Sequence, residues 1–129
     1  MKYTLVIEGR LPGLNDYQLK CRTHYSEGNK MKQECEDIVS LYIMQQLRIP
    51  TITKKVFIEF RWYEPNRKRD YDNISSFGRK CIQDALVNCK ILKNDGWKYI
   101  QGFKDEFYLD KEHPRIEVVI TETEIPAKL

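Results

Sequence analysis

The sequence contains few of the side chains that build zinc and redox centres. It has two histidines and four cysteines among 129 residues, and no two cysteines have C-x-x-C spacing. A structural zinc site is therefore not predicted. We expect all four cysteines to be reduced thiols in a cytoplasmic protein; they are Cys21, Cys35, Cys81 and Cys89.

Long apolar runs are also absent. No stretch approaches the roughly 18 apolar residues that a membrane span needs, so no membrane association is expected. The first residues, MKYTLVIEGRLPG, predict a strand and not a signal peptide. The phosphate-binding loops G-x-x-x-x-G-K-[ST] and G-x-G-x-x-G are missing, and so is an EF-hand loop. There is no repeat or low-complexity tract.

What remains is an ordinary globular composition, 41% hydrophobic and 32% charged, whose length suits one domain over residues 1–129. Alternating apolar residues predict strands over 2–8 and 54–63, and apolar residues at helical spacing predict helices from about 27 to 47 and from about 73 to 88. Residues 9–24, with Gly9, Pro12 and Gly13, predict a loop. Residues 98–109 and 115–122 predict a closing antiparallel pair.

The element order β-α-β-α-β-β indicates a small α+β domain. We expect a mixed sheet with two helices packed on one face.

Positive charge is concentrated in one segment. The net charge of the chain is +3, and the segment from Arg61 to Lys80 contains six basic and three acidic residues. The excess of this segment therefore equals that of the whole chain. It surrounds two aspartates, Asp70 and Asp72, which lie between a predicted strand and a predicted helix.

Asp70 and Asp72 permit two interpretations. In extended backbone, residues two apart point to the same side, so both carboxylates could bind one Mg²⁺ ion together with substrate phosphates. Asp95, in the turn after the second helix, is a possible third ligand, from the same subunit or from another. Alternatively, Asp-x-Asp is a capping device at a helix start. The basic residues at 67–69 then either neutralise the aspartates on a solvated face or contact phosphates beside a metal. The spacing leaves both interpretations open.

At these residues the sequence resembles the RusA-type Holliday-junction resolvases, and their phage-borne branch in particular. The similar segments are LPGLND (11–16), RKRDYDN (67–73), QDALVNCKIL (83–92) and KNDGWKYI (93–100). Together they extend the resemblance over nearly the whole chain. The combination from Arg67 to Ile100 is the most specific part, since Asp-x-Asp alone is common.

The resemblance implies Mg²⁺-dependent, paired nicking of four-way DNA junctions by a homodimer, with one or two ions at each site. Asp70, Asp72 and Asp95 match the family's catalytic, metal-binding aspartates. Lys80 matches its catalytic lysine, although the segment between Asp72 and Asp-Ala-Leu is four residues longer here than in the best-known member. We expect the three carboxylates to converge within one subunit. The residues expected to bind DNA are Arg67, Lys68, Arg69 and Arg79.

Two other functions are compatible with the sequence. The first is a non-catalytic protein that binds branched DNA and retains the resolvase fold. The second is metal-dependent hydrolysis of a small phosphate ester, for which the basic segment offers no obvious nucleotide pocket. A requirement of DNA cleavage for a divalent ion would separate the nuclease from the binding protein.

Overall fold

A computed structural model describes residues 1–127. It contains four strands and three helices in the order β-α-α-β-α-β-β. The elements are β1 (Lys2–Glu8), α1 (Leu14–Thr23), α2 (Tyr25–Gln46), β2 (Lys54–Glu64), α3 (Tyr71–Asn88), β3 (Ile100–Leu109) and β4 (Arg115–Pro126). The predicted α+β class is confirmed, with one helix more than expected.

The four strands form one mixed sheet in the order β1-β4-β2-β3. β4 is antiparallel to both β1 and β2, whereas β3 is parallel to β2. The predicted antiparallel pairing of the last two strands is therefore wrong, because β2 lies between them. The chain leaving β3 passes the end of β2, where the Asp110 amide donates to the Glu64 carbonyl at 2.8 Å.

The side chains of the last two strands explain this arrangement. β4 buries neighbouring residues that point to opposite faces, Val118 and Val119, at 0% and 4% exposure. Burial on both faces is typical of a central strand. β3 leaves large side chains exposed, among them Phe103 and Leu109, and lies at the edge.

One face of the sheet forms the core with the helices. Its buried side chains alternate along three strands: Leu5 and Ile7 of β1, Val56, Ile58, Phe60 and Trp62 of β2, and Ile116, Val118 and Ile120 of β4. The helices cover them with apolar residues from α2, such as Val39 and Ile43, and from α3, such as Cys81 and Leu86. The opposite face contains charged residues and tyrosines paired across strands, including Tyr63 on Tyr108 at 4.9 Å.

The prediction of a loop over residues 9–24 is wrong, because most of this segment forms helix α1. This helix has no buried residue, so its sequence lacks the apolar spacing that identifies a helix. Its first turn is closed by Gly13, whose amide donates to an Asp16 carboxylate oxygen at 2.9 Å. Tyr17 stacks on Phe77 of α3, with ring centroids 4.5 Å apart, and thereby joins α1 to the core.

All four cysteines are free thiols in the structure. Cys35 and Cys81 are buried, and a hydrogen bond with Cys35, together with burial, strongly raises the pKa of Cys81. Such a thiol is unreactive. Over residues 1–127, no helix combines the length and hydrophobicity needed to cross a bilayer.

Candidate active site

The basic segment after β2 is held by a buried carboxylate. Glu64 is 5% exposed, and its carboxylate accepts hydrogen bonds from two arginines. Arg10 Nη2 lies 2.8 Å from Oε1, and Arg69 Nη2 lies 3.0 Å and 3.1 Å from the two oxygens. Arg69 also donates to the Leu11 carbonyl at 3.2 Å. A buried carboxylate needs such partners, so Arg69 holds the loop in place.

Asp70 is the N-cap of α3. Its carboxylate accepts a hydrogen bond from the Asn73 amide at 2.9 Å. Asn73 in turn accepts from the Asn15 amide of α1 at 2.8 Å, through its side-chain oxygen. A Cβ atom on Gly13 would lie only 2.5 Å from that oxygen, so the contact requires glycine there. Asp70 therefore caps α3, and α1 helps to position the start of this helix.

Asp72 lies in the first turn of α3 and is exposed. The assumption of extended backbone for residues 70–72 is therefore wrong, because Tyr71 and Asp72 are helical. Residues two apart on a helix do not face each other. The same helical turn contains Tyr71, which lies between the two aspartates. Its ring stacks on Phe107 at 4.4 Å and remains 67% exposed.

Lys80 and Asp95 are brought together. Lys80 Nζ lies 3.0 Å from Asp95 and 3.1 Å from Asp84, one helical turn further along α3. The second Asp84 oxygen accepts from Lys32 of α2 at 3.0 Å. These hydrogen bonds raise the pKa values of both lysines. Burial would raise the pKa of Asp84, but its two lysine partners hold it below its usual value.

The expected convergence of three aspartates is not observed. Within residues 1–127, no group of three or more histidine, cysteine or acidic side chains is placed to hold a metal ion. Asp95 pairs with Lys80 instead. Asp70 and Asp72 remain as two carboxylates at one helix start. Mg²⁺ commonly takes one or two carboxylates and completes its shell with water and phosphate oxygens, so these two fit the donor set.

The four basic residues expected to bind DNA fall into two pairs. Arg69 is bound to Glu64, and Arg79 forms an ion pair with Asp105 while its guanidinium lies 4.5 Å from the Phe103 ring centroid. Arg67 and Lys68 are exposed and, in the described part of the chain, have no carboxylate within ion-pair distance. Among the described residues, the basic pair free to meet phosphate is therefore Arg67 and Lys68.

The sequence did not identify Asp84 as a partner of Lys80, or Asp105 as the partner of Arg79. Asp84 and Lys80 have the i, i+4 spacing of a helical ion pair, which was a usable signal. Lys32 and Asp105 come from other elements, α2 and β3. Their roles depend on tertiary packing, and no local pattern indicates them.

One comparison with known proteins identifies the family. The model of the endodeoxyribonuclease RusA family matches residues 12–121, which include every predicted site residue. No curated protein matches the chain. The match spans most of the sequence, from the loop before α1 to β4. The chain belongs to the RusA endodeoxyribonuclease family.

Proposed function

We propose that this protein is a Mg²⁺-dependent endodeoxyribonuclease that resolves four-way DNA junctions by paired nicks. The observation that best supports it is the exposed pair Asp70 and Asp72 at the start of α3. Shortly before them lie Arg67 and Lys68, which have no carboxylate within ion-pair distance among residues 1–127. Carboxylates beside a phosphate are repelled unless a cation lies between them. The arrangement therefore favours a bound divalent ion at the DNA backbone.

Asp70 and Asp72 would hold the ion, while Arg67 and Lys68 would bind the phosphates of a junction arm. When bound, Mg²⁺ supplies an activated water and neutralises charge on the phosphate. The start of α3 adds the positive end of the helix dipole, which also favours an anion. The expected cleavage leaves 5′-phosphate and 3′-hydroxyl ends that can be religated.

Lys80 would offset negative charge on the phosphate or on the leaving oxygen. In the present arrangement its ammonium group is held by Asp84 and Asp95. A catalytic role for Lys80, or a metal-binding role for Asp95, therefore requires their ion pair to open when DNA and metal bind. Asp84 would then keep Lys80 in place.

A homodimer fits the proposed substrate. Resolution of a four-way junction requires two symmetrically placed nicks, and each subunit supplies one set of site residues. A two-fold symmetric dimer would present two such sites to the pseudo-two-fold symmetric junction.

The test is a cleavage assay on a labelled synthetic four-way junction and on a linear duplex of matching sequence. Each is incubated with Mg²⁺ or with EDTA, using wild-type protein, Asp72→Asn, and Asp37→Asn as a control at an exposed aspartate of α2. We expect paired, ligatable nicks in the junction alone, requiring Mg²⁺ and lost only in Asp72→Asn. Junction binding by Asp72→Asn should be unchanged or tighter. Nicking in EDTA, or wild-type rates in Asp72→Asn, would contradict the metal assignment.

The Lys80–Asp95 ion pair favours one alternative, a protein that binds branched DNA without cutting it. Such a protein would keep Asp95 occupied by Lys80 and would not need a third metal ligand. Tight binding of the junction by wild-type protein, with no nicks over a range of crossover sequences and divalent ions, would support this alternative.

A further inference from the structure

A cleft of about 540 Å³ lies beside the two proposed metal ligands. It is formed by the loop after β2, the first turn of α3 and the end of β3. Its volume falls within the range of small-molecule binding sites. Aromatic and aliphatic groups, cations, an amide and one carboxylate line it. The ones that matter here are Asn66, Arg67, Tyr71, Phe107 and Leu109.

The aromatic part of the cleft is available to a ligand. Tyr71 stacks on Phe107 through one ring face, yet the tyrosine remains 67% exposed. Leu109, at the end of the edge strand, is 51% exposed. An exposed ring beside exposed aliphatic surface provides a stacking platform of the kind on which nucleobases bind.

The polar part of the cleft suits an anion. Arg67 has no carboxylate within ion-pair distance in the part of the chain that the structure describes. Glu64, which also lines the cleft, is neutralised by Arg10 and Arg69, so it does not repel a phosphate. Asn66 uses its side-chain oxygen to accept from the Lys68 amide, and its NH₂ group can donate to a base edge.

The position of the cleft links it to the reaction. Tyr71 stands between Asp70 and Asp72 in the chain, so a base on its ring would belong to a nucleotide beside the cut phosphate. A base inside an intact duplex already has a neighbour on each face. A base at the branch point of a junction is the least costly to unstack.

We propose that this cleft binds the unstacked base of one nucleotide adjacent to the phosphate that is cut. The base stacks on Tyr71, and Arg67 binds the phosphate of the same nucleotide. This inference rests on the proposed nuclease function and deepens it. It gives one physical reason why branched DNA would be cut in preference to linear duplex, since only the branch offers a base that can enter the cleft.

The test uses four-way junctions in which one nucleotide near the crossover is replaced by an abasic residue, one position at a time. Nicking rates are compared for wild type, Tyr71→Ala and Tyr71→Phe. Tyr25→Ala is the control, because Tyr25 is also exposed but does not line the cleft. With wild type, one abasic position should slow the adjacent nick by roughly 5-fold to 150-fold, the range for losing one base stack.

Tyr71→Ala should slow the nick in the intact junction by a similar factor and should become insensitive to that abasic position. Tyr71→Phe keeps the stacking ring and should remain sensitive to that abasic position, and Tyr25→Ala should behave as wild type. Thermal melting checks that each variant is folded. Should Tyr71→Ala fail to fold, Leu109→Glu places a charge in the cleft instead, with Leu41→Glu on α2 as its control. Leu109→Glu is expected to abolish the abasic effect, and Leu41→Glu to retain it.

Two outcomes contradict the inference. One is that wild type cuts the junction but no abasic position slows it. The other is that Tyr71→Ala remains as sensitive to the abasic position as wild type. Failure of wild type to nick any junction would instead contradict the proposed nuclease function, so the two failures are distinguishable.

Discussion

Arg69 binds both carboxylate oxygens of Glu64 through Nη2, at 3.0 Å and 3.1 Å. The pair is largely buried, with 16% and 7% of the two side chains exposed. Arg69 thus connects the end of β2 to the loop that leads to Asp70. Its neighbours Arg67 and Lys68 point to solvent. Of these three consecutive basic residues, Arg69 therefore stabilises the loop, whereas the other two are exposed on the surface.

Arg69→Ala should lower the free energy of unfolding by about 2–3 kcal/mol, because it leaves Glu64 buried with Arg10 as its remaining partner. Urea denaturation at pH 7 measures the change. Arg67→Ala is the matched control and should stay within about 0.5 kcal/mol of wild type. Equal stabilities for the two variants would show that the Glu64 pair contributes little.

Arg67→Ala should weaken junction binding and reduce its salt dependence. Each phosphate contact contributes a slope of about −0.9 in log K against log salt on duplex DNA. Removal of one contact should therefore lower the magnitude of the slope by about one. Filter binding in EDTA, from low to moderate salt, gives the slope without cleavage. An unchanged slope would exclude Arg67 from the phosphate contacts.

Lys80→Met should reduce the single-turnover nicking rate by roughly 100-fold or more, the loss typical of removing one charge-stabilising donor. Junction affinity should change little. Lys32→Met is the informative control, because Lys32 binds the same Asp84 from α2. If both variants lose activity equally, the loss comes from disturbing Asp84, and Lys80 has no direct catalytic role.

Asp84→Asn should destabilise the protein at pH 7 by about 1–2 kcal/mol, through two weakened charge-assisted hydrogen bonds. The folded-state pKa of Asp84 lies below its usual 3.8. Its stabilising contribution is therefore present above pH 3.8 and is lost as the pH falls through the folded-state pKa. The stability difference between wild type and Asp84→Asn should shrink between pH 5 and pH 3. A pH-independent difference would contradict the ion-pair origin.

Local pattern predicted the elements whose burial follows a simple period. β2 alternates strictly, and α3 places Ile74, Phe77 and Cys81 on one buried face. Helix α1 was not predicted because it buries no residue, so no apolar period distinguishes its sequence from that of a loop. The pairing of β3 with β2 was not predicted, because strand order depends on the whole sheet. The adjacent apolar residues Val118 and Val119, which point to opposite faces, were the available sign that β4 is central.

The structure brings two of the predicted site residues together. Lys80 and Asp95 are 15 residues apart in sequence and lie in contact, as their assignment to one site requires. The convergence of Asp70 and Asp72 on one ion was inferred from extended backbone, whereas the approach of Asp95 was expected from the family resemblance. Helical backbone at Asp72 removes the basis of the first inference, and in this arrangement Asp95 pairs with Lys80 instead.

The central place of β4 constrains the order in which the chain can fold. β1 and β2 share no direct contact in the sheet, since β4 lies between them and pairs with both. While the protein is being synthesised, the emerging β1 must wait for more than a hundred further residues before its partner leaves the ribosome. Contacts of such large sequence separation slow folding. The nuclease therefore cannot assemble its sheet, or the site built on it, until β4 has been made.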